Sequence, residues 1–361
     1  MTHINTRVIS VDPAKPSPDA VRDAADVIRA GGLVAFPTET VYGLGANALD
    51  AAAVARIFEA KGRPASDPLI VHIESMGQLA KVAIDLPGEV DALAAAFWPG
   101  PLTLALRRHP DVPANVSANR PTVAVRMPDH AVARALIEAA GVPIAAPSAN
   151  LFSRPSPTTA QHVLEDLDGR IDLILDGGPT TIGVESTVID LTETPPRLLR
   201  PGGVAWETLR QVLPALALDQ RFLPADSAGE GLASPGMLAK HYSPRARLLL
   251  FAGPTRPTLA RMRQMAGERV AAGESVGLLI YDEDASAFEG VAAQSFSLGP
   301  AADVEQAARR LFAGLRDLDR RGVDVILARV GEKPTGLGLA IRDRLLRAAE
   351  GRVIEVGEDN R

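Results

Sequence analysis

The chain has 361 residues, 46% hydrophobic and 23% charged, with 31 Gly, 29 Pro and no Cys. That length exceeds the roughly 250–300 residues at which single cores stop growing, so two domains are expected, and the missing thiols exclude disulfides, thiolate catalysis, Fe–S clusters and Cys-ligated zinc. A net charge of −6 and 4% aromatic residues argue against a dedicated nucleic-acid binder. The six His (3, 72, 109, 130, 162 and 241) are too scattered for a structural metal site. The opening MTHINTRVIS has no apolar leader segment, and no apolar run approaches the ~18 residues of a membrane span, so a cytoplasmic protein without membrane contact is expected.

In chain order, Ser17-Pro18-Asp19 opens an amphipathic helix that Gly31-Gly32 stops. A buried strand over 33–36 ends at Pro37, followed by a helix over 51–60 and a strand over 69–73. Further strands are expected at 102–106, 122–126, 144–146, 171–175 and 187–191, with helices near 87–98, 130–140 and 159–167. This alternation predicts an α/β or α+β core over 1–213. Between 214 and 245 the periodicity fails in a run rich in Pro, Gly, Ser and Ala. Composition reads that run as a solvated linker, whereas Met237, Leu238, His241 and Tyr242 within it suggest that it docks on something. From 246 to 361 a second alternation places strands at 248–251, 276–281, 323–330 and 353–356 and helices at 255–266, 301–320 and 338–349. That spacing predicts a small parallel-sheet, Rossmann-like domain.

No GxxxxGK[ST] or complete GxGxxG is present; Gly43-Leu44-Gly45 and Gly336-Leu337-Gly338 are only GxG. Four clusters could carry chemistry. Pro37-Thr38-Glu39-Thr40-Val41-Tyr42-Gly43 follows a strand on the usual ligand side of an open sheet, or is a tight turn that uses glycine for positive φ. Lys61-Gly62-Arg63-Pro64, with Asp67-Pro68 and His72 beyond it, could hold a triphosphate, or could simply complement a helix dipole. Pro147-Ser148-Ala149-Asn150 leads to Thr158-Thr159, where Thr158 could instead be a helix N-cap. Glu185-Ser186-Thr187 and Arg200 complete the set, with Arg120 and Arg126 flanking another strand. Cations and hydroxyls without an evident nucleophile suit phosphoryl or nucleotidyl transfer, in which positioning and charge neutralisation supply the rate.

PTETVYGLG, KGRP with DPLIVH, PSAN and ESTV, in this order and spacing, resemble the YrdC-like domain of threonylcarbamoyl-AMP synthases. Ser234-Pro235-Gly236-Met237 with Lys240-His241-Tyr242-Ser243-Pro244, and GLGLAIRDRLLRAA over 336–349, are similar to the longer, two-domain form. The resemblance implies a twisted mixed sheet with helices around an open cleft, plus a smaller Rossmann-like domain. It further implies that L-threonine and bicarbonate give N-carboxy-threonine, whose carboxylate attacks the α-phosphate of ATP. Pyrophosphate leaves, and threonylcarbamoyl-AMP passes to the tRNA threonylcarbamoyl-transferase complex, which modifies adenosine beside the anticodon; tRNA itself would bind only weakly. By the family pattern, Lys61 and Arg63 would be catalytic and, with Asp67, Thr122, Asn150, Thr158, Arg200 and Tyr242, would line the ATP site. Thr40, His72, Arg126, Ser148 and Ser186 would hold threonine, Arg126 pairing its carboxylate. Mg²⁺ would arrive with ATP rather than on a protein metal site. Tyr42 would close over the site, the linker would be a lid carrying His241 or Tyr242 to the nucleotide, and Glu39 and Glu185 are the candidates for any general base.

One departure concerns the loop after PSAN. The family commonly reads SAN-x-SG, whereas this chain has Leu151-Phe152-Ser153, so a glycine is replaced by Ser153. Two rival readings are weaker. YrdC-like domains also occur in hydrogenase-maturation carbamoyltransferases, but those carry zinc fingers that a Cys-free chain cannot form. A non-catalytic RNA-binding module is opposed by the acidic balance.

Overall fold

The computed structural model describes residues 4–218, 242–331 and 335–357. They divide into two units, residues 4–152 with 156–218, and residues 153–155 with 242–331 and 335–357.

In the first unit, strands β1 (Arg7–Ser10), β2 (Val34–Phe36), β3 (Gly43–Asn47), β4 (Ile70–His72), β5 (Ala83–Ile84) and β6 (Leu102–Arg108) are followed by β7 (Thr122–Arg126), β8 (Ile144–Ala145) and β9 (Leu173–Asp176). Strands β10 (Thr187–Asp190), β11 (Arg197–Arg200) and β12 (Ala217–Leu218) complete a mixed sheet of twelve strands. Its order is β1-β9-β2-β3-β8-β4-β7-β6-β10-β11-β12, with β5 paired to β6. The sheet thus continues to Leu218, into the stretch expected as linker. Helices α1 (Pro18–Arg29), α2 (Ala51–Lys61), α3 (Met76–Leu79), α4 (Glu89–Phe97), α5 (Ala131–Ala140), α6 (Ala160–Leu167) and α7 (Trp206–Val212) connect the strands.

Strand alternation divides the interior between two faces. Val34, Phe36, Leu173 and Leu175 point to one core with Ala24, Ala25 and Ile28 of α1 and Val132, Ala133 and Leu136 of α5. Leu33, Ala35 and Ile174 point to the other core, with Val54 and Ile57 of α2 and Leu93 of α4. The helix starts follow their caps: Ser17 accepts from Ala20 N–H with Pro18 in the first turn, and Asp50 accepts from Ala52 and Ala53. Gly43 and Gly45 are not turn residues but lie in β3. A Cβ on Gly45 would stand 2.7 Å from both Ile144 and Phe36, so glycine serves close packing there.

The second unit is a five-stranded parallel sheet in the order β15-β14-β16-β13-β17. Its strands are β13 (Arg247–Ala252), β14 (Val276–Ile280), β15 (Gln294–Ser297), β16 (Val325–Arg329) and β17 (Val353–Glu355), with helices α8 (Thr255–Ala271), α9 (Val304–Arg320) and α10 (Leu337–Ala348) between them. Met262, Met265 and Ala266 of α8 pack on Phe251, Leu278, Ile280, Val325 and Leu327. Ser153 and Pro155 belong to this unit through their carbonyls, which accept from Ser243 N–H at 2.6 Å and Arg316 Nη2 at 2.6 Å. Ser153 has φ 63°, the left-handed conformation that the commoner glycine would supply, so the loop keeps that shape without it. Among the described residues no helix is long and apolar enough to cross a membrane.

Candidate active site

Strands β4 and β7 are parallel, and their register pairs His72 with Arg126 at their carboxyl ends. Arg126 is held by three groups. Its Nε donates to the Gly100 carbonyl at 3.2 Å, its Nη1 donates to Thr40 Oγ1 at 2.9 Å, and its Nη2 lies 2.6 Å from Glu39 Oε2. The last contact is an ion pair by distance that lacks hydrogen-bond alignment, which leaves the Glu39 oxygens with accepting capacity. Thr40 Oγ1 is also 2.8 Å from Thr38 Oγ1. His72 is buried, and its Nδ1 has no hydrogen-bond partner among the described residues. Burial, with the Arg126 charge second, pushes its pKa down to about 3, so the imidazole is neutral at physiological pH.

A second cluster grows from the end of α2. Gly62 adopts φ 62°, and Arg63 N–H donates to the Phe58 carbonyl at 3.0 Å, a Schellman-type stop that turns the chain inward. Lys61 Nζ donates to the carbonyls of Ser148 and Asn150, each at 2.6 Å. Arg63 Nη2 is 2.9 Å from Asp67 Oδ2 and donates to the Pro68 carbonyl at 2.8 Å. Asp67 is fully buried. Desolvation pushes its carboxyl up, opposed by the charges of Arg63, Lys61 and Arg200, so these cations converge on one acid. Arg200 donates through Nε and Nη2 to the Ser186 carbonyl at 3.1 and 3.0 Å and through Nη2 to Ser186 Oγ at 3.1 Å, and Ser186 Oγ lies 2.7 Å from Thr103 Oγ1.

The PSAN loop closes around the second cluster. Ser148, half-buried, bridges Gly43 in antiparallel fashion and shares Lys61 with Asn150. Asn150 Nδ2 donates to the Leu151 carbonyl at 2.7 Å, and Phe152 N–H closes the loop back on the Lys61 carbonyl at 2.8 Å. Ser156 Oγ donates to Glu185 Oε1. Thr159, not Thr158, caps α6; Thr158 Oγ1 lies 3.3 Å from His162 Nδ1.

The structure therefore brings together Thr40, His72 and Arg126 on one side and Lys61, Arg63, Asp67, Ser148, Asn150, Ser186 and Arg200 on the other. Thr122 sits at the opposite end of β7 from Arg126, roughly 13 Å away along the strand, and no hydrogen bond or ion pair joins it to either cluster among the described residues. Tyr42 is fully buried and donates from its hydroxyl to the Gly178 carbonyl at 2.7 Å, so it is an internal tie rather than a group that closes over the site. Tyr242 belongs to the second unit, where its ring lies 5.4 Å from that of Phe312 with the Arg344 guanidinium 5.3 Å from its centre. His241, with most of the expected lid, lies outside the described residues. Sequence reading did not single out Thr103 or His130. Thr103 is an isolated hydroxyl in a buried strand, and His130 caps α5 near enough to Glu39 to feel its charge.

Residues 26–202 match the Sua5/YciO/YrdC family model, described as telomere recombination, and residues 204–350 match the model for the C-terminal domain of threonylcarbamoyl-AMP synthase. A threonylcarbamoyl-AMP synthase of Pyrococcus abyssi is 49% identical over 341 residues, covering 93% of this chain and 96% of that protein. The Bacillus subtilis threonylcarbamoyl-AMP synthase is 46% identical over 335 residues, covering 92% and 94%. The crystal structure of P. abyssi Sua5 complexed with L-threonine matches with a TM-score of 0.88 at 47% identity, over 97% of this chain and 99% of that one.

Proposed function

The chain belongs to the Sua5/YrdC family of threonylcarbamoyl-AMP synthases, and on that premise we propose that it acts as a nucleotidyltransferase making threonylcarbamoyl-AMP from L-threonine, bicarbonate and ATP. The amine of threonine adds to bicarbonate with loss of water. The resulting carbamate oxygen attacks the α-phosphorus of ATP, and the bond to the β-phosphate oxygen breaks to release pyrophosphate. The observation that carries this reading is the convergence of Lys61, Arg63 and Arg200 next to the Thr40, His72 and Arg126 group, with Ser186 bonded to Arg200.

Arg126 would exchange its Glu39 ion pair for a charge-assisted contact with the carboxylate of threonine. Neutral His72 and Thr40 offer hydrogen bonds to the amino acid without adding charge. Lys61, Arg63 and Arg200 would hold the polyphosphate, with Asn150 and Thr158 beside it, and these fixed cations would stabilise charge as pyrophosphate departs. Thr122 and Tyr242 enter this reading only through the family pattern. Among the described residues no three His, Asp or Glu side chains cluster as a metal site, and Asp67 is already engaged by Arg63. Mg²⁺ would be carried on the ATP phosphates, where it would neutralise their charge. The product would pass to the tRNA threonylcarbamoyl-transferase complex, in the cytoplasm, where ATP and tRNA occur.

The test is pyrophosphate release from ATP with threonine and bicarbonate omitted in turn. Release that needs both substrates is expected. Release with threonine alone would replace the reading with simple amino-acid adenylation, and no release would remove the enzyme reading.

A further inference from the structure

We propose that the second unit carries a ligand site of its own, for a nucleoside monophosphate, at the carboxyl ends of β13 and β16. The topology prepares the place. The chain leaves β13 through α8 toward β14 and β15, and leaves β16 through α10 toward β17, so the two crossovers run in opposite directions along the sheet. Right-handed crossovers in opposite directions put their helices on opposite faces. Packing agrees: Met262 of α8 clusters with Leu278 and Ile280, whereas Gly314 of α9, the helix against which α10 packs, faces Leu279 on the other side of the same strand. Neighbouring strands whose connections diverge in this way leave a crevice at their carboxyl ends, and open parallel sheets bind ligands there.

A cavity of about 450 Å³ occupies that position, within the size range of small-molecule sites. Its walls include Gly253 after β13, Gly331 after β16, Arg342 from α10 and Glu355 at the end of β17. Gly253 has φ 144°, and a Cβ there would meet the Val356 carbonyl oxygen at 2.2 Å, so at this point the wall is bare backbone. The other arginines nearby are engaged: Arg344 and Arg347 share Asp343, and Arg329 pairs with Asp284. By contrast, Arg342 and Glu355 are solvent-exposed at the rim of the same cavity, and their side chains have neither a hydrogen bond nor an ion pair among the described residues.

The donor set selects the ligand class. A guanidinium fork suits a phosphate, and a carboxylate accepts hydrogen bonds from a ribose diol. A bare anion would gain from Arg342 but be repelled by Glu355, which favours a phosphate joined to a hydroxylated sugar over inorganic phosphate. This site lies within the second unit and uses none of the residues of the catalytic clusters.

Equilibrium dialysis of labelled AMP against the full-length protein tests it, with pyrophosphate release measured on the same samples. In Arg342→Glu the number of AMP bound per chain should fall by one while pyrophosphate release stays at the wild-type rate. In Glu355→Gln the site should persist with AMP affinity lowered on the order of tenfold and inorganic phosphate binding undiminished. An AMP stoichiometry that Arg342→Glu leaves unchanged would overturn the proposal. So would loss of pyrophosphate release together with AMP, which would assign the lost binding to the first unit. Equal affinity for inorganic phosphate and AMP would overturn the nucleoside assignment.

Discussion

His72 shows how much of its behaviour comes from position alone. Its folded pKa of about 3 lies below the ordinary value of 6.5, so between those limits the unfolded chain takes up a proton that the folded chain refuses. Its contribution to stability is therefore whole above pH 6.5 and is lost as the pH falls toward 3, by at most roughly 1.4 kcal/mol per pH unit. Denaturant titrations from pH 7 to pH 4 should show that slope in the wild type and a shallower one in His72→Asn. Arg63 and Asp67 pose the opposite problem, a buried pair in which each charge needs the other. Arg63→Ala should cost about 3–5 kcal/mol by stranding the Asp67 carboxylate, and the Arg63→Met, Asp67→Leu double variant should recover much of it in urea unfolding. At this scale the sequence announced residue types but not their partners. Lys61, Arg63, Asn150 and Arg200 were legible because motif spacing marked them. The Glu39–Arg126 contact and the Thr103–Ser186 hydroxyl pair join segments far apart in the chain, and no local pattern encodes them.

Among the elements, those with strong periodicity or clear caps were legible to within a few residues. Strand β7 falls on the expected 122–126, and α1 starts at its Ser17 cap. Strand β3 was hidden because its two glycines read as a turn, although they serve close contact with Ile144 and Phe36. Gly45→Ala should cost about 1–3 kcal/mol by overpacking that junction, measured as a lowered midpoint in thermal unfolding with substrate specificity unaltered. Strand β15, Gln-Ser-Phe-Ser, lay outside the reading because an edge strand with polar residues lacks an apolar signal. Helix α8 runs to Ala271, past the expected 266, through Gly267, Glu268 and Arg269, which carry little apolar periodicity.

For the molecule as a whole, composition and length foretold two folded units, and the parallel sheet of the second followed from its strand–helix alternation. The membership of residues 153–155 did not, because it depends on carbonyls accepting from Ser243 and Arg316 nearly a hundred residues or more downstream. Arg316→Ala should lower the stability of the second unit by about 1.5–3 kcal/mol, read from hydrogen exchange of the β13 and β16 amides. The heredity of the chain is affected as well. A hybrid joined within 219–241, with its front half from a distant relative, would import a foreign 153–155 tripeptide and so alter part of the rear unit. Because both contacts are made to backbone carbonyls, such a recombinant should keep them only where the donor tripeptide holds the same backbone shape, with φ near 63° at position 153.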